Sequence, residues 1–199
     1  MIKIHDYKHI NDERTGTSGI AQLKVNYKDV LDLKYLYLLM HEWLVEEGYA
    51  PRSDSEFKEV FYYQKEDPNA GNFYHFKWRF EKDPPNTSLW KYILEVDTMV
   101  LTMKDVELAV KGKKVKAQKG EVEVTITGLI KTDPKKKFER FPKGVQNYIF
   151  KKLLRKQNDH YSDTLKNEMI RFQEAIKSYL KIETYLPERE YADFWRPAP

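Results

Sequence analysis

With 199 residues, 41% hydrophobic and 33% charged, the chain is long enough to bury a core and too apolar to be disordered. It contains no cysteine, which excludes a disulfide framework, a thiolate nucleophile and every Cys-based metal site. The net charge is only +4, but Lys111–Lys156 holds 15 Lys/Arg against 4 Asp/Glu, a local excess of +11 that would attract an anionic partner.

Met1–Gly19 is polar and reads as an N-terminal arm, with a short strand at Ile2–Ile4 as the alternative. It has no apolar h-region, and no run in the chain approaches a membrane span. The expectation is a cytoplasmic protein without a membrane segment. Ile20–Tyr27 alternates and predicts a strand with Leu23, Val25 and Tyr27 facing inward. Asp29–Gly48 predicts a helix. Asp29 is the expected N-cap, Leu33, Leu36, Tyr37, Met40, Trp43 and Leu44 form the apolar stripe, and Gly48 ends it.

Strands are expected at Phe57–Lys65, Phe73–Lys82 and Leu89–Thr102, separated by the Pro-containing turns at 67–71 and 83–86. Tyr74, Phe76, Trp78 and Phe80 form one apolar row, and Trp90, Tyr92, Leu94 and Val96 a second. The second row changes phase near Asp97, which predicts a bulge at Asp97 or Thr98, or a strand bending into a second sheet. Val106–Val110, Lys114–Gln118 and Glu121–Ile130 are expected to complete the meander, turning at Lys111-Gly112-Lys113 and Lys119-Gly120. Thr132–Gly144 reads as a basic loop. Val145, Tyr148, Ile149 and Leu153 form one helical stripe, and Tyr161, Leu165, Met169, Phe172, Ile176 and Leu180 another, with a kink or break expected at Gln157–His160. From Lys181 an extended tail is expected.

These elements make an α+β single domain spanning residues 1–199: a curved antiparallel sheet of about six strands on a long C-terminal helix, with one N-terminal helix. In element order this resembles the helix-grip arrangement of the START-like superfamily, which implies a sheet wrapped on the last helix.

Catalytic motifs are missing: there is no GxGxxG, Walker A, GxSxG or HExxH pattern, and His5 and His9, four apart as a helical metal site would need, fall in a segment that does not read as a helix. No catalytic residue, metal ligand or cofactor is therefore assigned. The expected function is a non-enzymatic interaction or structural component of a larger assembly that binds RNA or a ribonucleoprotein. Lys113, Lys114, Lys116, Lys135, Lys136, Lys137, Arg140, Lys151, Lys152 and Arg155 are the candidate phosphate contacts. Phe194 and Trp195 in the tail are candidate anchors for a protein partner, and the C-terminal helix and tail a route to homo-oligomers. The alternative is a ligand-binding or enzymatic domain with a cavity between sheet and helix, for which Glu95, Asp97 and His75 are the candidates. Their plainer reading is a charged outer face paired across strands.

Overall fold

The computed structural model describes residues 17–53, 56–110 and 113–185. The expected N-terminal arm up to residue 16 and the expected tail from residue 186, including Phe194 and Trp195, lie outside the described residues. Residues 17–19 are the start of a strand and 181–185 the end of a helix, which corrects the arm and the extended tail there. Strands β1 (Thr17–Leu31), β2 (Glu59–Lys65), β3 (Asn72–Lys82), β4 (Trp90–Val110) and β5 (Lys113–Thr132) form one open antiparallel sheet. Its order is β1-β5-β4-β3-β2, so the last four strands run as a meander and β1 returns beside the last of them. Helices α1 (Leu33–Glu46), α2 (Lys143–Tyr148) and α3 (Arg155–Tyr185) complete the α+β architecture, with a π-helical turn (Ile149–Leu153) between the last two.

Alternation along the strands decides which face is covered. Phe76, Trp78, Leu94, Val96, Val124 and Ile126 are buried in one core with Leu36, Met40 and Leu44 of α1 and Leu165, Met169, Phe172 and Ile176 of α3. Trp43 of α1 stacks on Phe172 of α3 with ring centroids 4.4 Å apart. Both helices therefore sit on the same side of the sheet. Gly128 on β5 lies directly beneath α3, where an added Cβ would collide with Met169 Sδ. The α3 stripe is thus spent on the protein's own sheet. Self-association through that stripe, expected from sequence, is corrected by this burial.

Several boundaries also move. Asp32, not Asp29, caps α1, and its carboxylate accepts from the Tyr35 N–H at 3.1 Å. Asp29 remains in β1 because pairing with β5 continues to Leu31 opposite Gln118. Gly48 adopts φ +76°, as expected at a helix end. The strands predicted at 89–102 and 106–110 are one strand, as are those at 114–118 and 121–130, which reduces the count to five. Lys119-Gly120 is no turn: Gly120 pairs with Asp29, and a Cβ there would stand 3.0 Å from Met103 Sδ.

The bulge lies elsewhere too. Pairing runs without a shift from Tyr92 to Leu101, so Thr98 and Val100 face the core while Met99 and Leu101 face out. The irregularity falls at Leu101–Lys104, where Thr102 has φ +53° and the extra residue turns Met103 inward. Likewise, α3 runs unbroken through Gln157–His160. The helix break is the π-helical turn before it, where the Leu154 N–H reaches the Ile149 carbonyl at 2.8 Å.

Candidate nucleic-acid interface

The candidate cations fall on two separate parts of the chain. Among the described residues, 106–110 and 113–117 pair only with each other, beyond the last partners of β1 and β3, and form a projecting two-stranded ribbon. Lys113, Lys114 and Lys116 belong to this ribbon. Lys135, Lys136, Lys137 and Arg140 follow the opposite end of β5. At about 3.3 Å per residue, the two groups are separated by roughly 50 Å along the strand. Between them Glu121 and Glu123 meet Lys28 and Lys24 of β1, at 3.3 and 2.9 Å. The +11 segment is therefore not one surface.

The second group is built on Asp133. This residue takes φ +49°, a conformation that Asp tolerates better than most side chains. Its N–H donates to the Leu89 carbonyl at 2.7 Å. Its two carboxylate oxygens accept from the N–H groups of Lys137 and Phe138, each at 2.8 Å. The loop is thereby folded into a tight turn carrying three consecutive lysines. Lys135 is exposed, Lys136 reaches Glu139 at 3.1 Å, and Lys137 donates to the Ser88 hydroxyl at 2.7 Å. Arg140 lies over the Phe141 ring at 5.2 Å.

Phe138 joins this loop to the π-helical turn, meeting the Phe150 ring edge-on at 5.4 Å. Gln146 closes the other side by donating to the Phe141 carbonyl at 2.7 Å. Lys151 and Lys152 are thus carried on a segment that touches the loop, and Arg155 opens α3 beside Asp159 at 3.8 Å. Residues 131–156 contain ten Lys/Arg and two Asp/Glu. Both acids are engaged, Asp133 with backbone N–H groups and Glu139 with Lys136.

The sequence pattern places Val145, Tyr148, Ile149 and Leu153 in one helical stripe. Ile149 is half-buried, but the other three are exposed, Tyr148 at 61% and Leu153 at 72%. The π-helical turn adds a residue to the repeat, so Leu154 rather than Leu153 packs against the core. An α-helical repeat drawn on the sequence cannot show this. The result is that Phe141 and Tyr148 expose their rings on the same cation-rich segment.

The other candidates sit apart. Glu95, Asp97 and His75 lie on the face of the sheet away from α1 and α3. Asp97 is shared by Lys77 at 2.7 Å and His75 at 2.8 Å, and Arg79 pairs with Glu95 at 3.0 Å. These are cross-strand pairs on an outer face, and they do not line the sheet–helix layer. Within that layer Tyr49, Lys82 and Glu168 form a polar cluster. Tyr49 donates to Glu168 at 2.6 Å, and Lys82 donates to the other Glu168 oxygen at 3.0 Å. Burial, reinforced by the Glu168 hydrogen bond, pushes the Tyr49 hydroxyl well above its usual range. Burial, with the nearby Glu168 charge, lifts Tyr92 to about 12. Both phenols therefore stay protonated near neutral pH, and both carboxylate oxygens are occupied. The cluster ties the loop after α1, the end of β3 and α3 together. An open depression of about 870 Å³ lies beside it, lined by Tyr49, Pro51, Phe57, Arg79 and Phe80. It borders the β2–β3 side rather than the α3 interface.

Among the described residues no group of three or more His, Asp or Glu could hold a metal ion, and no helix is long and apolar enough to cross a membrane. The class the coordinates define is a two-layer α+β domain with helices on one face of an open antiparallel sheet. Comparison with family models, curated proteins and solved structures returned no match.

Proposed function

We propose that the chain is a non-enzymatic binding module of the cytoplasm that holds single-stranded RNA on the surface formed by residues 131–156. The observation that carries this reading is that Phe141 and Tyr148 expose their rings on the same segment as the exposed Lys135, Arg140 and Lys152, with Arg140 5.2 Å from the Phe141 ring. Single strands are recognised by this combination: cations follow the phosphates while aromatic faces stack on unpaired bases. The two acids in the segment are already partnered, so they offer little opposition to a polyanion. Lys113, Lys114 and Lys116 on the distant ribbon would contribute only to a second, separate contact.

The test is fluorescence anisotropy with a labelled, unstructured oligoribonucleotide across a salt series. Replacing Lys135, Arg140 and Lys152 by Ala should weaken binding. It should also lower the slope of log K against log salt by about 0.7 for each phosphate that is no longer neutralised. Tyr148→Ala should cost about 1–3 kcal/mol if a base stacks there, and Tyr148→Phe should restore most of it. Absence of binding at low salt, or binding indifferent to these changes, refutes the reading.

A further inference from the structure

Base stacking employs exposed rings and gives no task to Val145 and Leu153, which are exposed on the same segment and have no flat face. Both belong to a stripe with Tyr148. Val145 and Tyr148 are three residues apart in α2, which makes them neighbours on a helical surface. Tyr148 and Leu153 are five apart across the π-helical turn, where the backbone bonds span five residues and return the chain to the same side. Phe150 and Leu154 are turned inward, Phe150 to the Phe138 ring at 5.4 Å and Leu154 to the core. One side of this segment is therefore spent on the fold and the other presents Val145, Tyr148 and Leu153 to solvent. Contiguous exposed apolar side chains of this kind mark an interaction surface.

We propose that this stripe is a shallow anchor for the surface of an anionic lipid bilayer. Val145, Tyr148 and Leu153 enter the headgroup layer, while the exposed Arg140, Lys152 and Lys156 meet the lipid phosphates and carboxylates. Charge selects the sign of the occupant. Residues 131–156 hold ten Lys/Arg against two Asp/Glu, and both acids are already engaged. A second copy docked on the same side would set these cations against their own kind. Exposure selects the shape of the occupant. Tyr148 at 61% and Leu153 at 72% stand on a ridge, whereas a peptide helix docks in a groove whose second wall would cover them. A bilayer surface accepts a ridge of apolar side chains flanked by Lys and Arg, because the lipids adjust around it.

The contact is peripheral and reversible. Three apolar side chains insert only to the depth of the headgroups, and each Lys or Arg near an anionic surface strengthens binding by roughly fivefold. Most of the attraction is therefore screened by salt. The segment is already folded before it meets the surface: Gln146 donates to the Phe141 carbonyl at 2.7 Å and Phe138 wedges against Phe150. Little ordering cost remains to be met on binding. The inference stands apart from the RNA reading, which makes no use of Val145 or Leu153.

Flotation of the full chain with lipid vesicles tests this. The protein should float with phosphatidylcholine vesicles that contain phosphatidylserine, stay behind with phosphatidylcholine alone, and be released by salt. The double variant Val145→Ala, Leu153→Ala should lower its partition onto the mixed vesicles roughly tenfold. The same variant should bind the labelled oligoribonucleotide as the parent does, and an unchanged urea midpoint shows that it remains folded. Lys152→Ala and Lys156→Ala should each lower the partition about fivefold. Absence of flotation with the mixed vesicles at low salt overturns the proposal, and leaves the RNA reading standing if the oligoribonucleotide still binds. Flotation indifferent to the double variant overturns it too, because charge alone would then account for the attraction. Loss of oligoribonucleotide binding in that variant, with vesicle binding intact, assigns the stripe to RNA and overturns it as well.

Discussion

Gly128→Ala tests how the sheet and α3 fit together. Gly128 does not have the positive φ that would bar a side chain, so Ala is acceptable to the backbone. By itself that change would stabilise the protein by about 0.4–1 kcal/mol through lower entropy of the unfolded chain. Against this, the new methyl group meets the fully buried Met169 Sδ, with Leu165 Cδ2 at 3.5 Å behind it. Overpacking at such a site costs about 1–3 kcal/mol. The expected net effect is a loss of roughly 0.5–2 kcal/mol, combining the two ranges. Met169→Ala alone should cost about 2–5 kcal/mol and leave a void over Gly128. In that background the sign of Gly128→Ala should reverse, because the added Cβ then fills space instead of colliding. Urea unfolding of the four proteins gives the coupling energy, expected at about 1–3 kcal/mol. If Gly128→Ala is neutral or stabilising in the parent protein, helix and sheet are not in contact at this point. The space expected of a sheet–helix cavity would then be present.

Three further outcomes follow from named contacts. Asp32→Ala removes the α1 cap and should cost about 0.5–2 kcal/mol in urea unfolding, whereas Asp29→Ala within β1 should stay within about 0.5 kcal/mol. Equal losses would return the cap to Asp29. Tyr49 and Tyr92 have folded-state pKa values raised by burial, so the unfolded chain ionises first as pH rises. Their contribution to stability is complete below the ordinary tyrosine pKa of about 10 and is lost above it, so the urea midpoint should fall through that alkaline range. Tyrosinate absorbance should show Tyr49 and Tyr92 titrating late; a full set titrating together near the ordinary value contradicts the burial. Asp97→Asn breaks only partly exposed ion pairs and should change stability by no more than about 1 kcal/mol, with RNA binding unchanged. A larger functional loss would give the outer face a role that its geometry does not suggest.

What was legible in the sequence depended on how local the cause was. The α3 stripe from Leu165 to Leu180 repeats at spacings that only a helix lays on one face, and the same residues are buried. Gly48 was readable because a helix end often needs a positive φ, which Gly supplies without strain. The cap of α1 was not, since Asp29 and Asp32 are equally suitable residues. The choice was made by β5, which holds β1 in the sheet as far as Leu31. The phase break at Asp97 misled for a related reason. Met99 and Leu101 are apolar yet face outward, and it is Thr98 that takes the buried position. Alternation shows which face a residue prefers, whereas register is decided by partners far along the chain.

Charge was the least transferable signal, because sequence distance becomes spatial distance differently in each element. Within Lys111–Lys156, Lys113, Lys114 and Lys116 lie on the ribbon at the start of a strand of 20 residues, and Lys135, Lys136, Lys137 and Arg140 follow its other end. A strand advances about 3.3 Å per residue, so it carries its two ends far beyond the screening length of about 8 Å in physiological salt. Their fields act independently, and the net +11 overstates what either end offers to a partner. The segment after β5 behaves in the opposite way. The turn pinned by Asp133 and the π-helical turn fold back on each other through Phe138 and Phe150, so Lys135 and Lys152 belong to adjoining segments. For that reason residues 131–156, with Tyr148 among them, are the surface proposed for RNA. The ring of Tyr148 is exposed where the helical repeat alone would have buried it.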